Sequence, residues 1–262
     1  MLMKAFSVLV VTKEEEQTQR VLLFVACALF KIYFKLDTKT LCYNVLNVID
    51  PPSGTSPGTE THPPSTLATF WFFKARLCFS REDFDEAEAL FEKAFAICIN
   101  TAARNKREIL VYLIVLRLMH GKVPQERLLH RYCLAEKYLP LVASFKEGNI
   151  ALFNKTLAQE REWHIEKETY LALVVHVKNI VYRNFFKTVY SLCLESGVCE
   201  EGRLDIPLLE KALLWMKQET EAEDIECIAA NLIYQEYMNG YISHEKKIIV
   251  LSKKNPFPSI SH

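Results

Sequence analysis

The stretch from Leu204 to Pro258 constrains the fold of this chain more than any other. Leu204, Asp205 and Ile206 read as a brief apolar strand, and Pro207 then falls at a first helical position, where a missing amide proton does no harm. Leu208, Leu209, Ala212, Leu213, Trp215 and Met216 continue that helix. Glu223 or Asp224 is placed to cap a second helix whose Ile225, Ile228, Leu232 and Ile233 recur at helical spacing, with Gly240 as its closing glycine. Two β-rich runs, Tyr241 to Ser243 and Ile248 to Leu251, flank the polar turn from His244 to Lys247. Strand, helix, helix, strand, turn, strand is the order of a winged helix.

The remainder is a helical lead-in. With 262 residues, half of them apolar, the chain can hold one large domain or two small ones around a sizeable core. Formal net charge is zero, so no global field recruits nucleic acid and any such binding rests on local patches. Cys27, Cys42, Cys78, Cys98, Cys133, Cys193, Cys199 and Cys227 are scattered, several on apolar helix faces. That pattern is one of small core hydrophobes in a reducing compartment, cytosol or nucleus, rather than a disulfide framework.

In chain order, helices are expected over Met1 to Val11, Glu15 to Phe34 and Thr38 to Val48. Met1 to Val11 lacks the small-residue cleavage site of a secretory signal, and the apolar run Val21 to Phe30 is too short to span a bilayer. The first helix opens without a capping residue, so an N-terminal portion of the domain is expected to be missing. Asp50 to Thr66, rich in Pro, Gly, Ser and Thr, is the expected flexible loop. Leu67 to Phe79 and Phe84 to Cys98 then form a helix-turn-helix unit, with Phe84, Ala87, Phe91, Ala94, Phe95 and Cys98 on one face and Asp83 and Glu86 at capping-box spacing. Its small alanines give it the character of a tetratricopeptide-like repeat, which needs stacked neighbours to bury its apolar face. Those neighbours are expected at Arg107 to Met119, closed by Gly121, at Pro140 to Lys146, closed by Gly148, at Ile150 to Trp163, and in a long helix from Lys167 to Cys193. The expected class is mainly α: a helical-repeat solenoid over residues 1–166, then a connecting helix and winged helix over 167–262.

Helical repeats ending in a winged helix resemble the PCI domain family, named for the proteasome lid, the signalosome and the translation initiation factor. The resemblance is carried by Leu29 to Lys35, Asn105 to Leu113, Gly148-Asn-Ile-Ala-Leu152, Tyr182-Arg-Asn-Phe-Phe-Lys187, Asn231-Leu-Ile-Tyr234, Gly240-Tyr-Ile-Ser-His244 and Asn255-Pro-Phe-Pro258. These segments are most similar to the Thp-type export-subunit branch of the family and partly shared with signalosome-associated members. Against that branch the chain looks short by about the N-terminal third, and its Pro-rich loop looks long. What the resemblance implies is a non-catalytic subunit of the TREX-2 transcription-export complex, active in the nucleus and at nuclear pores in mRNA export. It also implies three partners: a large scaffold of the germinal-centre-associated nuclear protein type, a small acidic Sem-type subunit, and nucleic acid. A signalosome or proteasome-lid assembly role without nucleic acid is the alternative.

The residues bear on those implications directly. Glu219, Glu221, Glu223, Asp224 and Glu226 crowd the start of the second winged-helix helix. They suit the positive end of the helix dipole but repel phosphate, which argues against base reading in a major groove and for a protein contact. Lys246, Lys247, Lys253 and Lys254 bracket the last strand. Two readings stand side by side: these ammonium groups track a nucleic-acid backbone, or they guard an edge strand against aggregation. Arg183 and Lys187, one turn apart, either extend that patch or form a solvated helix face. A second basic group, Arg104, Lys106, Arg107, Arg117, Lys122, Arg127 and Arg131, is either a docking surface for the acidic subunit or RNA, or solvated surface. No phosphate loop, nucleophile elbow or paired zinc-ligand spacing is present, and His164 and His176 lack metalloprotease partners, so neither catalysis nor a metal or cofactor is expected.

Overall fold

Apolar residues at helical spacing, broken only by short polar turns, give a chain in which helix follows helix until the last sixty residues. A computed structural model describes residues 2–12, 16–51 and 62–260. The first helices are α1 (Leu2–Val11), α2 (Glu16–Lys35), α3 (Lys39–Ile49), α4 (Pro64–Ser80), α5 (Phe84–Ile97) and α6 (Ala103–Met119). After α6 come α7 (Glu126–Arg131), α8 (Ala135–Glu147), α9 (Ile150–Gln159), α10 (Arg161–Glu166), α11 (Tyr170–Ala172), a π-helical turn at Leu173–Val177, and α12 (Lys178–Glu195). The chain closes with β1 (Arg203–Asp205), α13 (Ile206–Trp215), α14 (Ala222–Tyr234), β2 (Gly240–Ser243) and β3 (Ile248–Leu251). The fold is mainly α, with helical repeats followed by a winged helix. It divides into two units, 1–113 and 114–262, with the division inside α6 rather than at the expected 166/167.

The first unit is built on aromatic packing. Phe70 and Phe73 of α4 meet Phe30 of α2 with ring centres 6.4 and 6.0 Å apart, and Phe91 of α5 stacks on Tyr112 of α6 at 4.9 Å. Arg76 lays its guanidinium 4.2 Å from the Phe34 ring centre and 5.6 Å from that of Tyr112. Such a cation shares a core with rings because their faces are electron-rich and the stem is apolar. Three expectations change here. The helix after the loop begins at Pro64, so only residues before it are loop, and 52–61 of the expected loop lie outside the described residues. Asp83 makes no side-chain cap bond; Glu86 instead sits 3.1 Å from Lys74 Nζ, which also bonds Asp50 Oδ2 at 2.9 Å. An ion pair across the α4–α5 hairpin outcompetes the local cap. And α6 begins at Ala103, so Arg104, Lys106 and Arg107 are all helical.

In the second unit the helical boundaries also move. Pro140 is accommodated inside α8, which starts at Ala135, and the expected helix 150–163 breaks after Gln159. The expected Lys167 to Cys193 helix starts at Tyr170, after Glu168 turns left-handed at φ +59. Gly148 closes α8 at φ +71, and a Cβ there would lie 2.2 Å from the Phe185 amide nitrogen, so α8 approaches α12 by way of bare backbone. Asn149 then caps α9 by accepting the Leu152 amide at 3.0 Å.

The winged helix sheet has the order β1-β3-β2, antiparallel throughout, with Leu204 opposite Ile249 and Ile242 opposite the same residue. Leu204, Ile249 and Leu251 point inward with Leu209, Leu213, Ile225, Ala229 and Leu232, all buried. Gly240 does not close α14, which ends at Tyr234 and turns at Glu236 with φ +59. Gly240 opens β2, where a Cβ would meet the Val250 carbonyl oxygen at 2.2 Å. Beyond β3 the chain returns as a strap. Asn239 donates its amide to Pro256 O at 2.9 Å, Phe257 packs 6.1 Å from Tyr190, and Ile260 reaches Gly121.

Candidate functional site

The wing turn is tied to the start of α14. Lys247 Nζ lies 3.3 Å from Glu223 Oε1 and 3.1 Å from Glu226 Oε1, and His244 Nδ1 lies 2.7 Å from Glu226 Oε2. The His244 hydrogen bond, then Lys247, holds the Glu226 carboxyl below its ordinary value, and Glu226 in turn raises Lys247. Glu223 is lowered too, first by its own backbone amide at the helix start and then by Lys247. Of the four wing lysines, Lys247 therefore spends its charge internally. Lys246, Lys253 and Lys254 are exposed.

The structure adds two cations that the sequence reading missed. A shallow cavity of about 370 Å³ is lined by Val198, Arg203, Asp205, Pro207, Leu208, Lys211, Lys246 and Lys247. Its acid, Asp205, is occupied by Arg203, whose Nε donates to Oδ1 at 2.9 Å. A positive cleft between β1, the first turns of α13 and the wing results, with the amide-rich end of α13 beside it. Arg203 and Lys211 are eight residues apart, and nothing in their spacing shows that they converge with a turn some forty residues on.

Arg183 does not extend this patch. It is 7% exposed, and its Nη2 donates to Phe257 O at 3.1 Å and Pro258 O at 2.6 Å while Nη1 donates to Asn184 Oδ1 at 2.8 Å. Its guanidinium thereby ties α12 to the returning strap, supplying donors to a buried Phe257 carbonyl and a part-buried Pro258 one. Lys187 stays exposed and lines a separate shallow cavity with Lys146, Asn184, Thr188, Ser191 and Leu192.

The second basic group differs in exposure from residue to residue. Arg104, Lys122, Arg127 and Arg131 are exposed, and Arg107 and Arg117 are half-buried. Lys106 is buried, 6% exposed, with Nζ bonded to Asn100 Oδ1 at 2.8 Å and 4.7 Å from the Phe95 ring centre. It is taken out of any exposed docking set. Arg104, Lys106 and Arg107 fall in the first unit, and Arg117, Lys122, Arg127 and Arg131 in the second.

The winged helix also exposes large apolar side chains. Trp215, the last residue of α13, is 85% exposed, beside Leu214 at 60%, and Tyr234 at the end of α14 is 87% exposed. Exposed Trp and Tyr are typical anchors of protein contacts. His164 is buried between Tyr138 and Trp163 with Nδ1 2.9 Å from Thr169 Oγ1, and burial pushes its pKa down to about 4. Among the described residues no three His, Cys, Asp or Glu side chains converge as a metal site, and no helix is long and apolar enough to cross a membrane.

Residues 154–253 match the PCI domain family. The chain is 35% identical over 246 residues to the PCI domain-containing protein 2 homolog of Dictyostelium discoideum, covering 94% of this chain and 55% of that protein. It is 34% identical over 241 residues to PCI domain-containing protein 2 of Danio rerio, covering 92% and 57%. It is 32% identical over 258 residues to the Protein CSN12 homolog of Neurospora crassa, covering 93% and 56%. The chain thus spans a little over half the length of these curated relatives.

Proposed function

We propose, from the premise that residues 154–253 are a PCI domain, that this chain is a non-catalytic assembly subunit that holds a larger scaffold and offers nucleic acid a backbone-binding surface. Relatives named PCI domain-containing protein 2 support the assembly-subunit part of this reading; the finer part, a TREX-2 type complex acting in nuclear mRNA export with a large scaffold and a small acidic subunit, extends the resemblance of the sequence. The observation that carries the nucleic-acid part is the cleft beside the α13 start in which Lys211 and Lys246 stand next to the Arg203–Asp205 pair, in a chain whose net charge is zero. Cations gathered locally on a neutral protein act at short range, and without base-edge donors in a groove they grip phosphates without reading sequence. Glu219, Glu221 and Asp224 leave the α14 face acidic, which suits a protein partner rather than DNA. Exposed Trp215, Leu214 and Tyr234 suit the same kind of partner.

A second reading has its own support. Lys247 is neutralised by Glu223 and Glu226, and one relative is named as a CSN12 homolog, so a PCI assembly joint without nucleic acid is the alternative. One experiment separates the two. The tagged chain is isolated from nuclear extract, its companions are identified by mass spectrometry, and the same sample is crosslinked to RNA. Recovery of an export scaffold with a small acidic peptide, and RNA crosslinks lost in the combined Arg203→Glu, Lys211→Glu, Lys246→Glu variant, is the expected result. Recovery of signalosome or proteasome-lid subunits without RNA overturns the export reading.

A further inference from the structure

The end of α12 brings Cys193 and Cys199 together. Gly197 adopts φ +69, the Gly197 amide donates to Leu194 O at 3.1 Å, and the Val198 amide donates to Cys193 O at 2.9 Å. This is the chain reversal that a left-handed residue after a helix produces. The Cys199 amide follows at 3.3 Å from the same Cys193 carbonyl, so the backbone has doubled back beside the last helical turn. That reversal sets Cys199 beside Cys193 at the end of α12, where burial first, and then the Cys199 thiol, hold the Cys193 thiol above its ordinary pKa.

The sulfurs differ in access. Cys193 is buried at 8% exposure, whereas Cys199 is partly exposed and within electrostatic reach of the Arg203 guanidinium. Access makes Cys199 the sulfur that an incoming disulfide meets first, and the thiolate is the form that attacks it. The turn has room to adjust, since a Cβ added at Gly197 would meet nothing within 4 Å.

We infer that Cys193 and Cys199 are a reversible disulfide pair, a modification site in the link between α12 and the winged helix. With glutathione disulfide as oxidant, the Cys199 thiolate attacks one of its sulfurs, forming a mixed disulfide and releasing one glutathione thiolate. Cys193, losing its proton to solvent, then attacks Sγ of Cys199, forming the protein S–S bond and releasing the second glutathione thiolate. The protein dithiol loses two electrons, and one glutathione disulfide becomes two glutathiones. The loop closed is only a few residues long, so the bond constrains the unfolded chain little and yields readily to thiols. Closure tethers the segment that supplies Val198 and Arg203 to the basic cleft and Gly202, whose amide donates to Tyr190 Oη at 2.8 Å.

Trypsin releases Thr188 to Arg203 as one peptide containing both cysteines and no other. The whole chain is treated with glutathione disulfide until the exposed Cys133 and Cys227 carry glutathione, then alkylated, digested and weighed. The expected Thr188–Arg203 peptide has lost two hydrogens, carries neither alkyl group nor glutathione, and regains two alkylatable thiols after dithiothreitol. In Cys193→Ala the same peptide retains glutathione on Cys199, because the resolving thiol is gone. Glutathione retained on the wild-type peptide, or both its thiols still alkylated once Cys133 and Cys227 have reacted, overturns the proposal.

Discussion

At the scale of single residues, burial decides what a charge is for. Arg183 and Lys187 look alike in sequence, one turn apart on one helix, yet one binds carbonyls of the strap and the other faces solvent. Replacing Arg183 with Ala leaves the Phe257 and Pro258 carbonyls without their donors, and a loss of about 2 to 4 kcal/mol is expected in urea unfolding. Lys at that position keeps the charge but not the fork, so it recovers only part of the loss. His164 makes the matching point for pH. Its folded pKa of about 4 lies below the ordinary 6.5, so the unfolded chain binds the extra proton first. The stability it withholds from acid is fully present above pH 6.5 and declines as pH falls towards 4, by on the order of 3 kcal/mol. His164→Gln, which keeps an acceptor for Thr169, should flatten the fall in urea midpoint between pH 7 and pH 4. An unchanged pH profile in that variant would place the acid sensitivity elsewhere.

At the scale of elements, the sequence shows where helices exist far better than where they stop. The expected stop signals were glycines; Gly121 and Gly148 do act so, and Gly240 does not. Yet Asp37, Glu82, Cys133, Glu168, Lys217 and Glu236 also turn left-handed, at φ values of 53 to 62. Such residues carry a modest steric penalty that neighbouring packing offsets, and no composition marks them. The winged helix was legible because turn, strand alternation and helical spacing follow each other without a gap. What was not legible is that its acidic helix and basic turn meet. That contact predicts a local effect: Glu226→Gln removes the His244 pairing and weakens the Lys247 one. Amides from Ser243 to Lys247 should then exchange hydrogen faster at neutral pH, while amides of α8 and α9 do not change. Because Glu226 is held below its ordinary value, the contact's contribution is present above that value and lost as pH falls through the folded one.

At the scale of the whole chain, the C-terminal strap is the longest-range device. Removing residues 255–262 uncovers Tyr190 and Gly121, strips Arg183 of its two strap acceptors and deletes the buried Phe257. The apolar area and the lost bonds together amount to about 3 to 6 kcal/mol. In a Trp71→Phe background, Trp163 and Trp215 both lie in residues 114–262, so their fluorescence reports that unit alone. Its unfolding midpoint should fall sharply on truncation, and retention of the full-length midpoint would show that the strap is decorative.

The sequence by itself determined the helical class and the winged helix, because periodicity, caps and turn residues act over a few positions. Residues that carried the resemblance have architectural roles here: Gly148 and Gly240 permit close backbone approach, Arg183 and Phe257 fasten the strap. Only the tertiary structure decided which cations remain available. Whether Lys106, Arg183 or Lys247 can meet a partner depends on Asn100, on strap carbonyls and on α14 carboxylates. Several of those partners are brought in from positions twenty to seventy-five residues away. Electrostatic pairing and desolvation depend on distances in space, and a one-dimensional charge pattern does not contain them.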